Sequence, residues 1–208
     1  MKKLTILTVL ILGTLFATAQ FEGVIKFKKH KTTETIDYTY YIKGDKVRIE
    51  EYDKEGKLKG IMLIDSKKDE VVALSPERKL YMDATNSRQP AKVNPMVTKT
   101  SKKQEIQGYM CTEWLVQSDQ EGIFVSYQVI DEPKFSFFEA MLRTLNRKDR
   151  LSKYWLETPG IENKFTMVGI EKYADGKQKV KLEVTEMTEE KVSDAMFDIP
   201  SDYVKFEK

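Results

Sequence analysis

The chain has very few of the side chains on which most catalytic and metal sites depend. Its 208 residues include one histidine, His30, and one cysteine, Cys111. A catalytic triad or a histidine-based zinc site needs partners that this sequence does not supply, and a single cysteine has no partner for a disulfide within the chain. We therefore expect His30, which lies among lysines, to be a surface residue and Cys111 to be a buried, unreactive thiol.

Motifs for other reactions are missing as well. The sequence has no glycine-rich phosphate loop and no nucleophile elbow, and Asp65, Asp69 and Glu70 lack the spacing of a calcium loop. Adjacent acidic residues such as Glu50 and Glu51 would point to opposite faces of a strand, so they do not form a carboxylate pair by themselves. The sequence predicts no cofactor, no metal and no enzymatic activity, with a site built from Tyr, Lys and Glu as the remaining alternative.

No hydrophobic run is long enough to span a membrane. Two lysines precede an apolar stretch over residues 4–16, and Ala17-Thr18-Ala19 follows as a small-x-small cleavage site, which is the pattern of a secretory signal peptide. A retained membrane anchor would need ~20 apolar residues, and a lipoprotein would need a cysteine where Gln20 stands. The sequence thus predicts a signal peptide over residues 1–19 and a periplasmic mature chain without a stable membrane anchor. Secretion beyond the outer membrane stays an alternative.

An excess of positive charge is also missing once that segment is removed. Two of the 35 Lys and Arg residues lie in residues 1–19, and none of the 33 Asp and Glu residues does, so 33 charges of each sign remain. A neutral chain gives no electrostatic reason to expect nucleic acid as a partner. The remaining length suits a single domain over residues 20–208.

What the sequence has in abundance is alternation of apolar and polar residues with a period of two. Turn sequences such as Asp175-Gly176, a strong hairpin signal, separate the alternating runs. Such runs predict antiparallel strands with one buried face, roughly ten or eleven of them in a mainly β fold with a single open sheet. The clearest runs place apolar residues at Ile36, Tyr38, Tyr40 and Ile42, at Ile123, Val125, Tyr127 and Val129, and at Val180, Leu182 and Val184.

Two segments depart from this alternation. Residues 84–103 are polar, contain Pro90 and Pro95 and show no periodicity, so they are predicted to form a long mobile loop within the domain. Residues 133–147 begin with a proline and repeat apolar side chains at spacings of three and four. That pattern predicts one amphipathic helix.

A one-layer sheet must bury its apolar face, so we expect this helix to cover the concave face of a strongly curved sheet. The space between helix and sheet would suit an apolar ligand; the alternative is that side chains simply fill it. The predicted ligand-binding residues are Phe135, Phe138, Met141, Leu142 and Leu145 on the helix, and Tyr38, Tyr40, Val125 and Tyr127 on the strands.

Several short motifs, in order along the chain, carry a family resemblance. They are Phe21-Glu22-Gly23, Tyr40 to Arg48, Leu80-Tyr81-Met82, Gly108 to Cys111 with Trp114, and Phe197 to Tyr203. In their order and spacing the chain resembles an uncharacterised bacterial envelope family, domain of unknown function 4412, over nearly all of its mature length. Members of that family look related to the outer-membrane lipoprotein carriers of the LolA/LolB-like fold.

The resemblance implies a half-barrel, an open curved antiparallel sheet with helices over its concave apolar face, where the known carriers hold acyl chains. It supplies no catalytic residues. The carriers use several helices as a lid, whereas this sequence predicts only one. Our leading hypothesis is a non-enzymatic periplasmic binding protein for a lipid or another apolar ligand. The alternative is an envelope scaffold that docks another protein through a sheet edge or through residues 84–103.

Overall fold

The computed structural model describes residues 20–87, 94–118 and 121–207. The predicted signal peptide and the centre of the predicted 84–103 loop therefore lie outside the described residues. In the described part of the chain no helix has the length and hydrophobicity needed to cross a membrane.

One open, curved sheet of twelve strands dominates the part of the chain that the structure describes. Its strand order is β12-β6-β5-β4-β3-β2-β1-β11-β10-β9-β8-β7. The strands are β1 (Glu22–Lys31), β2 (Thr35–Lys43), β3 (Lys46–Tyr52), β4 (Leu58–Asp65), β5 (Glu70–Ser75), β6 (Leu80–Asp83), β7 (Met96–Ile106), β8 (Tyr109–Ser118), β9 (Ile123–Ile130), β10 (Phe165–Lys172), β11 (Gln178–Glu189) and β12 (Val204–Lys205).

The sheet consists of two meanders joined along one seam. Strands β1 to β6 pair in sequence order, as do β7 to β11, and β1 pairs with β11 to join the two groups. The prediction of a mainly β fold with one open curved sheet is confirmed. The described residues form twelve strands where the sequence predicts roughly ten or eleven. The prediction that all strands are antiparallel is wrong at one edge, because the two-residue strand β12 pairs parallel with β6.

The predicted helix is present, and a second one follows it. A 3-10 turn over Pro133–Phe135 leads into α1 (Phe137–Leu145), and α2 (Arg150–Leu156) comes soon after. The sequence prediction missed α2, although two of its features are ordinary helix signals. Asp149 caps the helix by accepting a hydrogen bond from the Ser152 backbone N–H at 3.0 Å, and the buried side chains Leu151, Tyr154 and Trp155 have helical spacing.

The predicted loop over residues 84–103 is wrong in its second half, because residues 96–103 belong to β7. This strand lies at the edge of the described sheet, and side chains on both of its faces are largely exposed, so its sequence lacks the alternation of a half-buried strand. Its ladder with β8 also shifts register between Lys99 and Lys103. This segment is a strand because its backbone pairs with β8. The types of its side chains give no sign of that pairing.

The main core lies between the inner face of the sheet and the two helices. Alternate residues of the central strands, such as Ile25, Phe27, Tyr40 and Ile42, point to that face and are buried. A smaller cluster of Ile61, Leu63 and Leu74 forms on the other face, where Tyr203 of the C-terminal segment packs against it. Both faces of one half of the sheet are therefore covered, while the helices cover only the inner face.

Gly23 is required where β1 meets β11. A Cβ atom at this position would lie 2.1 Å from the Thr188 carbonyl oxygen, a clash with backbone that no side-chain movement relieves. We expect Gly23→Ala to lower the free energy of unfolding by about 3 kcal/mol, the upper end for atoms forced into a packed site, as measured by urea denaturation of the mature chain.

Gly60→Ala is the matched control, because Gly60 also lies in a strand and a Cβ there meets nothing within 4 Å. Its effect should stay within about 0.5 kcal/mol of the wild type. Equal stability of the two variants would show that the seam tolerates a side chain at position 23.

Candidate functional site

A small cavity lies between the two helices and the inner face of strands β1, β2, β9, β10 and β11. Its volume is about 50 Å³, enough for a few water-sized atoms and well below the ~300–1,000 Å³ of typical ligand pockets. The side chains around it are mostly apolar, with a few charged and polar groups. They belong to Phe27, Lys29, Tyr38, Tyr40, Tyr127, Phe138, Met141, Leu142, Leu145, Arg147, Asp149, Leu151, Ser152, Trp155, Thr166 and Leu182, with Gly169 completing the wall.

Seven of the nine predicted ligand-binding residues line this cavity. They are Phe138, Met141, Leu142 and Leu145 on α1, and Tyr38, Tyr40 and Tyr127 on the strands. Phe135 and Val125 are equally buried but lie elsewhere in the core. Phe135 belongs to the 3-10 turn before α1, and its ring stacks on Phe21 and Phe165 with centroids 5.4 and 5.0 Å away. Val125 lies nearer the end of β9, opposite Val116 of β8.

Sequence inspection missed the α2 residues and the charged groups of the lining. Leu151 and Trp155 were missed together with α2. Lys29 was missed because it stands in a run of lysines, where only the register of β1 shows that it shares the inner face with Phe27. Strand alternation continued from Ile25 and Phe27 is the sequence signal that would have found it.

Aromatic rings make the floor of the cavity rigid. Trp155 meets Tyr127 and Phe138 edge-on, with ring centroids 5.2 and 5.3 Å apart, a favoured geometry for such pairs. The Tyr127 hydroxyl donates to the Leu151 carbonyl at 2.7 Å, and burial raises the pKa of this phenol well above its usual range. Tyr127 therefore contributes a neutral ring to the cavity wall, and its hydroxyl is held in one orientation.

One polar atom of the lining residues lacks a partner in the described part of the chain. The Trp155 indole Nε1 is buried, and no acceptor among the described residues lies within hydrogen-bond distance. An unsatisfied buried donor costs about 1–3 kcal/mol. An oxygen atom of a bound molecule or a water in the adjoining cavity would remove that cost.

Charged groups gather on one side of the cavity. Lys29 is half-buried on β1, and burial lowers the pKa of its amine, with Asp149 and Arg147 close enough to act on it electrostatically. Arg147 follows α1, and its Nη2 lies 2.9 Å from the Met62 sulfur. The Asp149 carboxylate caps the start of α2. It accepts one hydrogen bond from the Ser152 backbone N–H and another, at 2.9 Å, from the Ser152 hydroxyl.

The histidine and the cysteine lie away from this cavity. His30 Nε2 lies 2.8 Å from a Glu183 carboxylate oxygen and Nδ1 lies 3.1 Å from the Thr35 hydroxyl, with about a third of the ring exposed. Cys111 is fully buried, as predicted. Within the described ranges, no three His, Cys, Asp or Glu side chains come together in a group able to hold a metal ion.

Solved structures share this fold at very low sequence identity. An uncharacterized conserved protein from Thermus thermophilus superposes with a TM-score of 0.54 at 10% identity, over 88% of this chain and 89% of that one. MucB in complex with MucA(peri) superposes with a TM-score of 0.51 at 7% identity, over 88% of this chain and 55% of that one. The Pseudomonas aeruginosa MucA/MucB complex gives a TM-score of 0.50, also at 7% identity, over 88% of this chain and 57% of that one. The chain thus spans little more than half of MucB, and at these identities the likeness concerns the fold alone.

Sequence comparison agrees with the resemblance carried by the short motifs. The family model described as "Domain of unknown function (DUF4412)" matches residues 21–203, which confirms that part of the resemblance. No curated protein matches the chain. The further likeness to the lipoprotein carriers stays a prediction.

Burial of Cys111 has a measurable chemical consequence. Burial raises the pKa of its thiol to about 11, whereas an unfolded cysteine has a pKa near ~8.5. Since only the thiolate is alkylated, we expect iodoacetamide at pH 8 to label the folded chain at least ~100-fold more slowly than the urea-unfolded chain. The rate of the folded chain should rise as the pH approaches 11.

The double variant Met110→Cys/Cys111→Ser provides the control, because Met110 is the adjacent residue and is 56% exposed. It should be labelled at the same rate whether folded or unfolded. Rapid labelling of native Cys111 would contradict its placement in the core.

Proposed function

The chain belongs to the DUF4412 family, and we propose that it is a non-enzymatic binding protein of the bacterial cell envelope whose ligand is a lipid or another apolar molecule. The ligand would lie between the α1–α2 layer and the inner face of the sheet. The observation that supports this proposal is a cavity at that interface with aromatic and aliphatic walls and a buried indole N–H that no described residue accepts from.

A ligand of useful size requires the helices to move. The present volume of about 50 Å³ holds only a few atoms, so an apolar chain must displace α1 and α2 from the sheet. Moving the helices loses apolar contacts between helix and sheet, and binding the ligand replaces them with apolar contacts to the ligand. Each ligand methylene that is buried contributes about 0.8 kcal/mol toward offsetting that loss. The two helices are short, with nine and seven residues, and isolated helices of that length are marginal in water. They therefore depend on whatever they pack against.

The predicted signal peptide supports the cellular part of the proposal. Export would place the mature chain in the periplasm, where a neutral binding protein without a stable anchor can exchange ligands with the membranes on either side. The proposal assigns no reaction, since the cavity residues include no histidine and no cysteine and its buried phenols stay protonated.

Filling the cavity should weaken ligand binding. Gly169 lies in its wall, and a Cβ there would sit 3.5 Å from both Leu151 and Tyr127, in ordinary contact. We expect Gly169→Ala to fold normally and to bind 1-dodecanol about tenfold more weakly, a loss of ~1.4 kcal/mol. Fluorescence of Trp155 in a Trp114→Phe background reports binding, because these are the two tryptophans of the chain.

Gly60→Ala again serves as the matched control, since Gly60 lies away from the cavity. Native mass spectrometry of protein isolated from its own envelope supplies the second readout and should show a bound apolar molecule. The proposal fails if the isolated protein has no such molecule and 1-dodecanol leaves Trp155 fluorescence unchanged.

A second candidate function, docking of another envelope protein, has its own supporting observation. A groove of about 290 Å³ crosses the outer face of β8 and β9 and exposes Leu115, Phe124 and Tyr173, each 41–46% accessible. Leu115, at one side of the groove, is directly opposite Thr98 of β7, the strand at the edge of the described sheet. Exposed apolar patches and sheet edges are both used in protein recognition. MucB, which has a similar fold, has been solved with MucA(peri) bound.

This candidate predicts that Phe124→Lys abolishes cross-linking to a specific envelope protein without changing the thermal midpoint of unfolding. Phe206→Lys is the control, because Phe206 is 49% exposed but lies beside β6 at the opposite edge of the sheet. Identical cross-links in both variants would eliminate the groove as a docking surface.

A further inference from the structure

Two positively charged side chains line the apolar cavity without an anionic partner among the described residues. Lys29 and Arg147 both contribute to the lining and are half-buried. No carboxylate oxygen of the described residues lies within the 4.0 Å that defines an ion pair for either of them. The Arg147 guanidinium contacts the Met62 sulfur, which carries no charge. The adjacent Lys28, by contrast, pairs with Asp37 at 3.0 Å.

The nearby acidic groups do not remove this imbalance. Asp149 lies close enough to Lys29 to act on it electrostatically, but its oxygens accept hydrogen bonds from Ser152 at the start of α2. Glu51 lies on β3, which β2 separates from β1, and it hydrogen-bonds the Tyr38 hydroxyl, so it acts on Lys29 only as the smallest electrostatic cause. The lining itself therefore holds two cations and one carboxylate. Cations removed from water without a partner are unfavourable, so an anionic group bound beside them would be stabilised.

The arrangement suits a molecule with one charged end and one apolar chain. The half-buried Lys29 and Arg147 lie where the cavity approaches solvent, whereas Phe138, Met141 and Trp155 on its inner wall are almost completely buried. Guanidinium groups bind carboxylates and phosphates through paired N–H donors, and the lysine amine adds a point charge. From these contacts we propose that the ligand is an anionic amphiphile with a single apolar chain, whose carboxylate or phosphate group lies between Lys29 and Arg147.

This inference rests on the proposed function, because it assigns a ligand class to the same cavity. The test compares three molecules with the same twelve-carbon chain: 1-dodecanol, dodecanoate and dodecyl phosphate. Binding is followed at pH 8 by Trp155 fluorescence in a chain that carries Trp114→Phe as its only substitution, which is the reference for the variants below. Each titration stays below the micelle concentration of its ligand. We expect at least one anion to bind ten or more times as tightly as the alcohol. The better anion distinguishes a fatty acid from a phospholipid-type headgroup.

The variants test which residues cause the preference. Lys29→Met removes the charge and keeps most of the unbranched apolar side chain, and Arg147→Gln removes the charge and keeps a shorter polar side chain. Each should reduce the ratio of anion affinity to 1-dodecanol affinity, measured on the same variant, to about threefold or less. Lys28→Met is the matched control, since Lys28 is the adjacent residue on the opposite face of β1 and should leave the preference unchanged.

The outcomes separate the two proposals. If 1-dodecanol binds and the anions bind no more tightly, the headgroup assignment is wrong while the cavity remains a ligand site. If both charge variants keep the full preference, the anion is recognised elsewhere and the assignment is also wrong. If none of the three molecules binds, this inference fails, and the proposed function fails with it when protein isolated from its own envelope also has no apolar molecule bound. Should one variant not fold, the other variant and the comparison on the reference chain still decide the question.

Discussion

The pairing of β1 with β11 is the interaction on which the rest of the structure depends. It joins strands from the two ends of the described chain, and it connects the β1–β6 meander to the β7–β11 meander within the sheet order. Each meander forms from local hairpins, but the inner face becomes one continuous surface only when this long-range seam closes. The cavity is built across it, because Phe27 and Lys29 belong to β1 and Leu182 belongs to β11. The seam is therefore a condition of the site as well as of the fold.

The two helices pack on the inner face of the sheet and close the core around the cavity. The inner face is rich in large rings, and Phe138 contacts both Phe165 of the sheet and Trp155 of α2, with centroids 4.8 and 5.3 Å apart. Large, rigid rings on facing layers rarely fill all the space between them, and Gly169 contributes no side chain to its part of the wall. The small cavity is the result of this packing. Its position is determined by the helices and the sheet together, so any ligand that enlarges it must act on both.

The sequence predicts the part of this architecture that periodicity encodes. Alternation identified the strands whose inner faces are buried, and the three- and four-residue spacing of Phe138, Met141, Leu142 and Leu145 identified the helix over the cavity. Two kinds of information were missing. Strand β7 shows no alternation because its side chains are largely exposed on both faces, and its identity depends on hydrogen bonds to β8. Lys29 and Arg147 look like surface cations in sequence, since only the register of β1 and the end of α1 place them at the cavity.

Lys29 and Arg147 are the residues that distinguish this cavity from an ordinary packed core. In β1, Ile25 and Phe27 point inward, and an apolar residue at position 29 would extend that row against its neighbours Ile36 and Leu182. A lysine there gives up part of its hydration and gains no ion pair with a described residue, so it opposes the packing that its neighbours favour. Local conflicts of this kind are expected at functional sites, where the sequence serves an interaction that the folded chain alone does not make. Core filling explains the phenylalanines of this interface, but it does not explain two half-buried cations facing an apolar cavity.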